Sequence, residues 1–111
     1  MTLSHEVRGL ALVCRPEGDL DESAEARIAE LASAPEASGA RTVVLDMGGT
    51  TYISSRGVAA LLKLQSDLSA RKRALSLAAP SPLVRRILYQ AGISAAVPIH
   101  LTVEEACGKQ A

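Results

Sequence analysis

The chain has 111 residues, a formal net charge of zero and a hydrophobic fraction of 48%, which suits one domain around a single core. Aromatic residues make up only 2%, with no Phe or Trp, which disfavours a base-stacking nucleic-acid binder or a large ligand pocket. Neither a signal peptide nor an apolar run near the ~20 residues of a membrane span is visible, so we expect a cytoplasmic protein.

Charge is divided unevenly along the chain. Residues 1–46 contain nine acidic and four basic residues, whereas residues 47–111 contain three acidic and eight basic residues. Either the two halves neutralise each other across the fold, or the molecule has one acidic and one basic face that steer a charged partner.

The first part of the chain predicts a hairpin followed by a helix. An alternating segment over 2–8 and an apolar run over 10–14 are expected to pair around a turn near Gly9. Asp21 is a candidate N-cap, and the apolar spacing after it predicts a helix that is ended by Pro35 and Gly39.

The middle of the chain predicts a central strand and a long helix. The run over 41–47 is typical of a buried strand, which Tyr52-Ile53 either extends or follows. Apolar spacing then predicts a helix from about Ser55 to about Arg71, and a further strand is expected over 74–78.

The last part predicts a helix, a short strand and a final helix. Ser81-Pro82 is a helix start, and Gly92 is a stop signal. A strand over 97–100 is expected at a sheet edge, with His100 on the surface, and Thr102 is expected to cap a helix through about residue 107. The element order predicts an α/β fold of one domain over 1–111.

Catalytic and metal sites find little support in the sequence. Ser55-Arg56-Gly57 is similar to half of a nucleophile elbow, but Ile53 replaces its first glycine and the two histidines lie near opposite chain ends. Two His and two scattered Cys lack metal-ligand spacing, so we expect no metal, no other cofactor and no enzymatic activity.

The cysteines and a glycine pair leave minor alternatives. Cys14 lies in an apolar run and is interpreted as a core residue, although a disulfide with Cys107 is possible on count alone. Gly48-Gly49 follows a strand, as a nucleotide loop does, but no Gly-Lys-Ser/Thr motif accompanies it, and a turn is the preferred interpretation.

Two adjacent serines stand at the predicted start of the long helix. A helix start leaves backbone N–H groups unpaired and carries partial positive charge, so a hydroxyl there can cap the helix or carry a phosphate. Ser54 and Ser55 are therefore either capping residues or a phosphorylation site.

The chain resembles the STAS domain family, the fold of bacterial anti-sigma factor antagonists, over nearly its whole length. The segment 18–21 (Gly-Asp-Leu-Asp) is similar to the family's turn before the first helix. The segment 44–58, a Leu-Asp strand, a turn and Ser-Ser-x-Gly, is similar to its hallmark. The resemblance implies a mixed sheet of four to five strands with about four helices packed on it.

The resemblance also implies a partner switch. The unphosphorylated domain would bind a serine-kinase anti-sigma factor and so release a sigma factor. The kinase, with its own ATP and Mg, would phosphorylate a serine at the start of the second helix, and a PP2C-type phosphatase would reverse this. Ser55 is the expected site and Ser54 the second candidate, because Arg56 stands where some members carry their serine. Arg56 itself could pair with a neighbouring phosphate or with an acidic partner surface.

The partner surface implied by the resemblance consists of residues around this helix start. They are Asp19, Asp21, Thr51, Ser54, Ser55, Arg56 and Gly57. The alternative function is a non-switching STAS scaffold in a larger assembly, such as a stressosome-like particle or a lipid-transport ATPase complex, in which both serines are structural.

Overall fold

A long second strand organises the sheet of this protein, whose computed structural model describes residues 2–108. Strands β1 (Thr2–Arg8) and β2 (Ala11–Leu20) form the predicted hairpin, with Gly9 at a positive φ of 58° in the turn. The first half of β2 pairs in parallel with β3 (Thr42–Asp46), and its last residues pair in parallel with β4 (Thr50–Ile53). Two parallel partners therefore share one strand.

Two further strands complete the sheet. β5 (Ala74–Ala78) pairs in parallel with β3, and β6 (Ile99–His100) pairs in parallel with β5. The order is β1-β2-β3-β5-β6, with β4 beside β2, and among these strands of residues 2–108 only the β1–β2 pair is antiparallel. The described residues thus form a mixed sheet of six strands, one more than expected, because β4 is a separate strand rather than an extension of β3.

Five α-helices occur within residues 2–108. They are α1 (Glu25–Glu30), α2 (Pro35–Ser38), α3 (Ser55–Ala70), α4 (Pro82–Gln90) and α5 (Val103–Gly108). The predicted bounds of the long helix α3 and of α4 are confirmed, since local capping residues determine both starts. None of the helices described here has the length and apolar character needed to cross a membrane.

The prediction that Pro35 ends the first helix is wrong. Pro35 instead begins the one-turn helix α2, where its missing N–H costs nothing and its restricted φ fits the first turn. Gly39 ends that turn with a φ of 74°, a left-handed conformation that glycine adopts without strain.

The main core lies between one face of the sheet and helices α1, α3 and α4. Fully buried aliphatic side chains from β3 and β5 meet those of the helices there, including Leu45, Leu77, Leu61 and Leu88. Helix α5 covers the opposite face, where Ala106 packs in a smaller cluster. The predicted α/β fold is confirmed, while the domain boundaries at 1 and 111 stay a prediction.

His100 is buried, so its predicted surface position is wrong. Its strand β6 is at the sheet edge as expected, but α5 packs against it and leaves His100 only 7% exposed. The Nδ1 atom lies 3.8 Å from Glu105 Oε1, and Nε2 has no hydrogen-bond partner in the described part of the chain.

The acidic and basic halves of the chain do meet across the fold. Among the residues that the structure describes, three ion pairs join the first 46 residues to the rest of the chain, which favours mutual neutralisation over two opposed charged faces. The pairs are Arg8–Glu104, Arg56–Glu25 and Arg71–Glu36.

Candidate functional site

The site is the junction where the end of β2, the end of β4 and the start of α3 meet. β4 pairs with the end of β2, so the backbone N–H of Ser54 reaches the carbonyl of Leu20 at 2.9 Å. Ser54 has extended backbone angles, and its Oγ accepts a hydrogen bond from the N–H of Gly57 at 3.1 Å. Ser54 is therefore the N-cap of α3.

Gly57 lets the helix approach the sheet closely. A Cβ placed on this residue would lie 2.2 Å from the backbone oxygen of Leu20, which is far inside van der Waals contact. The absence of a side chain at Gly57 thus fixes how near the start of α3 lies to the end of β2.

Ser55 has a different environment from its neighbour. It is the first residue of α3 and is exposed, and no hydrogen bond to its hydroxyl is found within residues 2–108. The structure therefore separates two roles that the sequence left open, with Ser54 capping the helix and Ser55 presenting a free hydroxyl beside the helix N-terminus.

Arg56 extends toward α1. Its Nε donates to Glu25 Oε1 at 2.7 Å, with side-chain exposures of 65% for Arg56 and 38% for Glu25. Sequence reasoning missed Glu25 as a site residue, because only the packing of α1 beside α3 brings it close to Arg56.

Asp19 and Asp21, the two aspartates of the predicted site, accept hydrogen bonds that stabilise the segments next to the start of α3. The Thr51 hydroxyl donates to Asp19 Oδ1 at 2.6 Å and so links β4 to β2. Asp21 caps the 3-10 turn before α1 by accepting from Ser23 N at 3.0 Å. Two hydrogen bonds lower the pKa of Asp21 below its ordinary value. The bond from the Ser23 hydroxyl has the larger effect, and the bond from the Ser23 backbone N–H has the smaller one.

The glycine pair at 48–49 is not a phosphate cradle. These residues form a short 3-10 turn in which Asp46 Oδ1 accepts from Gly48 N at 3.0 Å. The carboxylate of Glu17, which is paired with Arg15, occupies the space where a Gly49 Cβ would be, so no room is left there for a phosphate. Within residues 2–108 no cluster of His, Cys, Asp and Glu is arranged to hold a metal ion.

A groove of about 660 Å³ lies beside the helix start, between α1 and α3. Ala26, Ala29, Ala59 and Ala60 line it, and Arg56 belongs to its lining too. Sequence analysis overlooked this groove, although small residues at helical spacing on both helices were a signal for it.

The STAS domain family matches residues 2–106 of the chain. Because this match spans nearly all of the sequence, the chain belongs to the STAS domain family. No curated protein matches it.

Solved structures of similar fold include several regulators. An anti-sigma factor antagonist from Mycobacterium paratuberculosis has a TM-score of 0.83 at 19% identity, with 98% of this chain and 92% of that chain covered. Unphosphorylated SpoIIAA, an anti-sigma factor antagonist of Bacillus, has a TM-score of 0.77 at 24% identity, covering 97% and 95%. SpoIIAA has also been solved in a phosphorylated form, with a TM-score of 0.69 at 24% identity, covering 97% and 98%.

A transport-related protein shares the fold as well. A sulfate transporter family protein from Wolinella succinogenes has a TM-score of 0.82 at 18% identity, with 95% of this chain and 88% of that chain covered. At these identities the similarity establishes the shared fold and assigns no residue role to this chain.

Proposed function

We propose that this chain is a cytoplasmic anti-sigma factor antagonist that acts by partner switching. In its unphosphorylated form it binds a serine-kinase anti-sigma factor and releases a sigma factor. Phosphorylation of Ser55 blocks this binding, and a PP2C-type phosphatase restores it. The observation that carries the proposal is the exposed Ser55 hydroxyl at the first residue of α3, beside the capping residue Ser54.

The local chemistry suits such a switch. The kinase would transfer the γ-phosphoryl group of ATP to Ser55 Oγ, which loses its proton as ADP departs. The new phosphate adds about −1.5 to −2 charge at a helix N-terminus, where unpaired N–H groups and the helix dipole favour an anion. Because Ser54 caps α3, the modification changes the surface and leaves the capping hydrogen bond in place.

The partner surface surrounds this hydroxyl. Asp19 and Thr51 link β2 to β4, and Asp21 caps the turn before α1. Gly57 allows the close approach of α3 to β2. A bulky dianion on Ser55 would stand in the middle of a surface formed by these segments, so a partner fitted to the hydroxyl would meet both repulsion and steric overlap.

The direct test incubates the protein with a cognate kinase and ATP and locates phosphate by mass spectrometry. Phosphate on Ser55 is expected, and its loss is expected in Ser55→Ala. An active kinase that leaves Ser55 unmodified would contradict the proposed site. Ser54→Ala is not an equivalent control, because that change also removes the helix cap.

A second test measures kinase binding to Ser55→Asp, which we expect to weaken it. Ser66→Asp is the matched control, because Ser66 is another exposed serine of α3, three turns along the helix. Equal affinities for the two variants would count against Ser55 as the switch.

The alternative is a non-switching STAS scaffold. The fold shared with a sulfate transporter family protein supports it, since STAS domains are not confined to antagonists. A pull-down that recovers an ATPase or other STAS domains, together with an unmodified Ser55 in the presence of the cognate kinase, would favour this function.

A further inference from the structure

Arg56 occupies an electrostatically unfavourable position in its own helix. It lies in the first turn of α3, where the helix dipole places partial positive charge. Glu25, the first residue of α1, occupies a favourable position for the same reason. Their 2.7 Å ion pair therefore joins the starts of two helices. The negative charge of Glu25 offsets the repulsion between the Arg56 guanidinium and the positive end of the α3 dipole.

This ion pair is weakly held. Both side chains are substantially exposed to water, and such pairs contribute little because solvent screens them and two long side chains must be ordered. A phosphate on Ser55 would offer a stronger partner. It carries up to twice the charge of a carboxylate and three acceptor oxygens, and it suits the planar fork of a guanidinium group.

Arg56 has to turn to reach such a phosphate. Consecutive helix residues point about 100° apart, so the long and largely exposed Arg56 side chain would swing away from Glu25 and back over the first turn of α3. We propose that Arg56 exchanges partners on phosphorylation, leaving Glu25 and pairing with the phosphate on Ser55. This inference rests on the proposed function, in which Ser55 is the modified residue.

The exchange would carry the modification to a second surface. Arg56 and Glu25 both line the groove between α1 and α3, together with Glu22 and Lys63. When Arg56 leaves, the only ion pair that joins α1 to α3 among the described residues is lost, and the groove becomes more acidic at the end that holds Glu22 and Glu25. The start of α1 is thereby altered by a phosphate that is attached to α3.

The test introduces phosphoserine at position 55 during synthesis of the full chain and follows the phosphate by ³¹P NMR across its second ionisation. In Arg56→Gln the phosphate pKa is expected to be about 0.5 unit higher than in the otherwise unchanged protein, because a neighbouring cation favours the dianion. Lys63→Gln is the control, since it removes the same charge from the same helix two turns away, and a much smaller shift is expected.

A third variant separates exchange from sharing. Glu25→Gln removes a nearby negative charge and therefore lowers the phosphate pKa directly. If Arg56 has left Glu25, this drop has the same size in the protein with Arg56 and in the Arg56→Gln protein. A larger drop in the protein that keeps Arg56 would show that Glu25 still holds Arg56, and this would overturn the exchange. Equal phosphate pKa values in the Arg56→Gln and Lys63→Gln proteins would overturn it as well.

The result is independent of the kinase, because the phosphoserine is installed directly. Failure of a kinase to modify Ser55 would contradict the proposed function. It would not affect the phosphate pKa values, which are measured on protein with phosphoserine already in place. An Arg56-independent phosphate pKa in a protein that the kinase does modify would overturn only the exchange.

Discussion

The backbone of Gly57 lies so close to Leu20 that a Cβ on Gly57 would stand 2.2 Å from the Leu20 carbonyl oxygen. The same oxygen accepts a hydrogen bond from Ser54 N at 2.9 Å. The end of β2 therefore fixes both the N-cap and the third residue of α3, and it determines where Ser55 is presented.

Replacing Gly57 with alanine is expected to destabilise the fold. The new methyl group would meet backbone, which cannot move aside as a flexible side chain can, so the overpacking cost exceeds the gain in helix propensity. We expect a loss of about 1–3 kcal/mol in the free energy of unfolding, measured by urea denaturation.

Gly108→Ala is the matched control for this change. Gly108 also lies in a helix, and a Cβ there would meet no atom within 4 Å. A neutral or slightly stabilising effect is expected at this position. Equal effects of the two substitutions would show that the approach to Leu20 is not what requires glycine at position 57.

Ser54→Ala is expected to lower the free energy of unfolding by about 1 kcal/mol, because α3 loses its cap. Ser55→Ala should stay within about 0.5 kcal/mol of the unsubstituted protein, since its exposed hydroxyl makes no hydrogen bond among the described residues. Thermal or urea unfolding of both variants checks this. A larger loss for Ser55→Ala would reverse the assignment of the two serines.

Asp21 is expected to make stability depend on acid pH. Its pKa is lowered in the folded state by hydrogen bonds from Ser23, so its contribution is complete above the unfolded pKa of about 4 and is lost as the pH falls through the folded pKa. Unfolding of the unsubstituted protein and of Asp21→Asn between about pH 3 and pH 7 should therefore give a stability difference that narrows toward low pH. A constant difference would contradict this.

The two cysteines are expected to differ in reactivity. Cys14 is a residue of β2 whose side chain is fully buried, and this burial raises the pKa of its thiol to about 11. Cys107 in α5 is partly exposed, and its pKa is also raised by burial. Because the thiolate is the reactive form, iodoacetamide at about pH 8 should modify Cys107 and spare Cys14 until the chain unfolds.

Peptide mapping by mass spectrometry locates the modification, and Cys107→Ser serves as the control that should stay unlabelled while folded. Comparable labelling of Cys14 in the folded protein would contradict the buried position. Both thiols are free in the structure, so the disulfide that the cysteine count allowed is not formed.

Much of the fold was predictable because its signals are local. Ser81-Pro82 begins α4, and Gly92 follows its end with a φ of 77°. These elements depend on capping and backbone preferences that act over a few residues. Pro35 was misread for the same reason, because a proline that ends one helix and a proline that begins the next look alike until the backbone between them is known.

Other features depend on residues far apart in the chain. The sequence left open whether Tyr52-Ile53 extends the central strand or follows it, because the partner of β4 is the end of β2, some 30 residues earlier. His100 is buried only because α5 packs over the edge strand β6. The pattern of residues along the chain does not show which helix packs over which strand.

The sequence by itself determined that this is an α/β protein with two serines at the start of its long helix, because periodicity and capping are local properties. Only the tertiary structure decided how the two serines are placed. The carbonyl of Leu20 at the end of β2 anchors Ser54, Ser55 is exposed beside it, and the packing of α1 beside α3 brings Glu25 to Arg56. These placements follow from contacts between elements that are far apart in the chain.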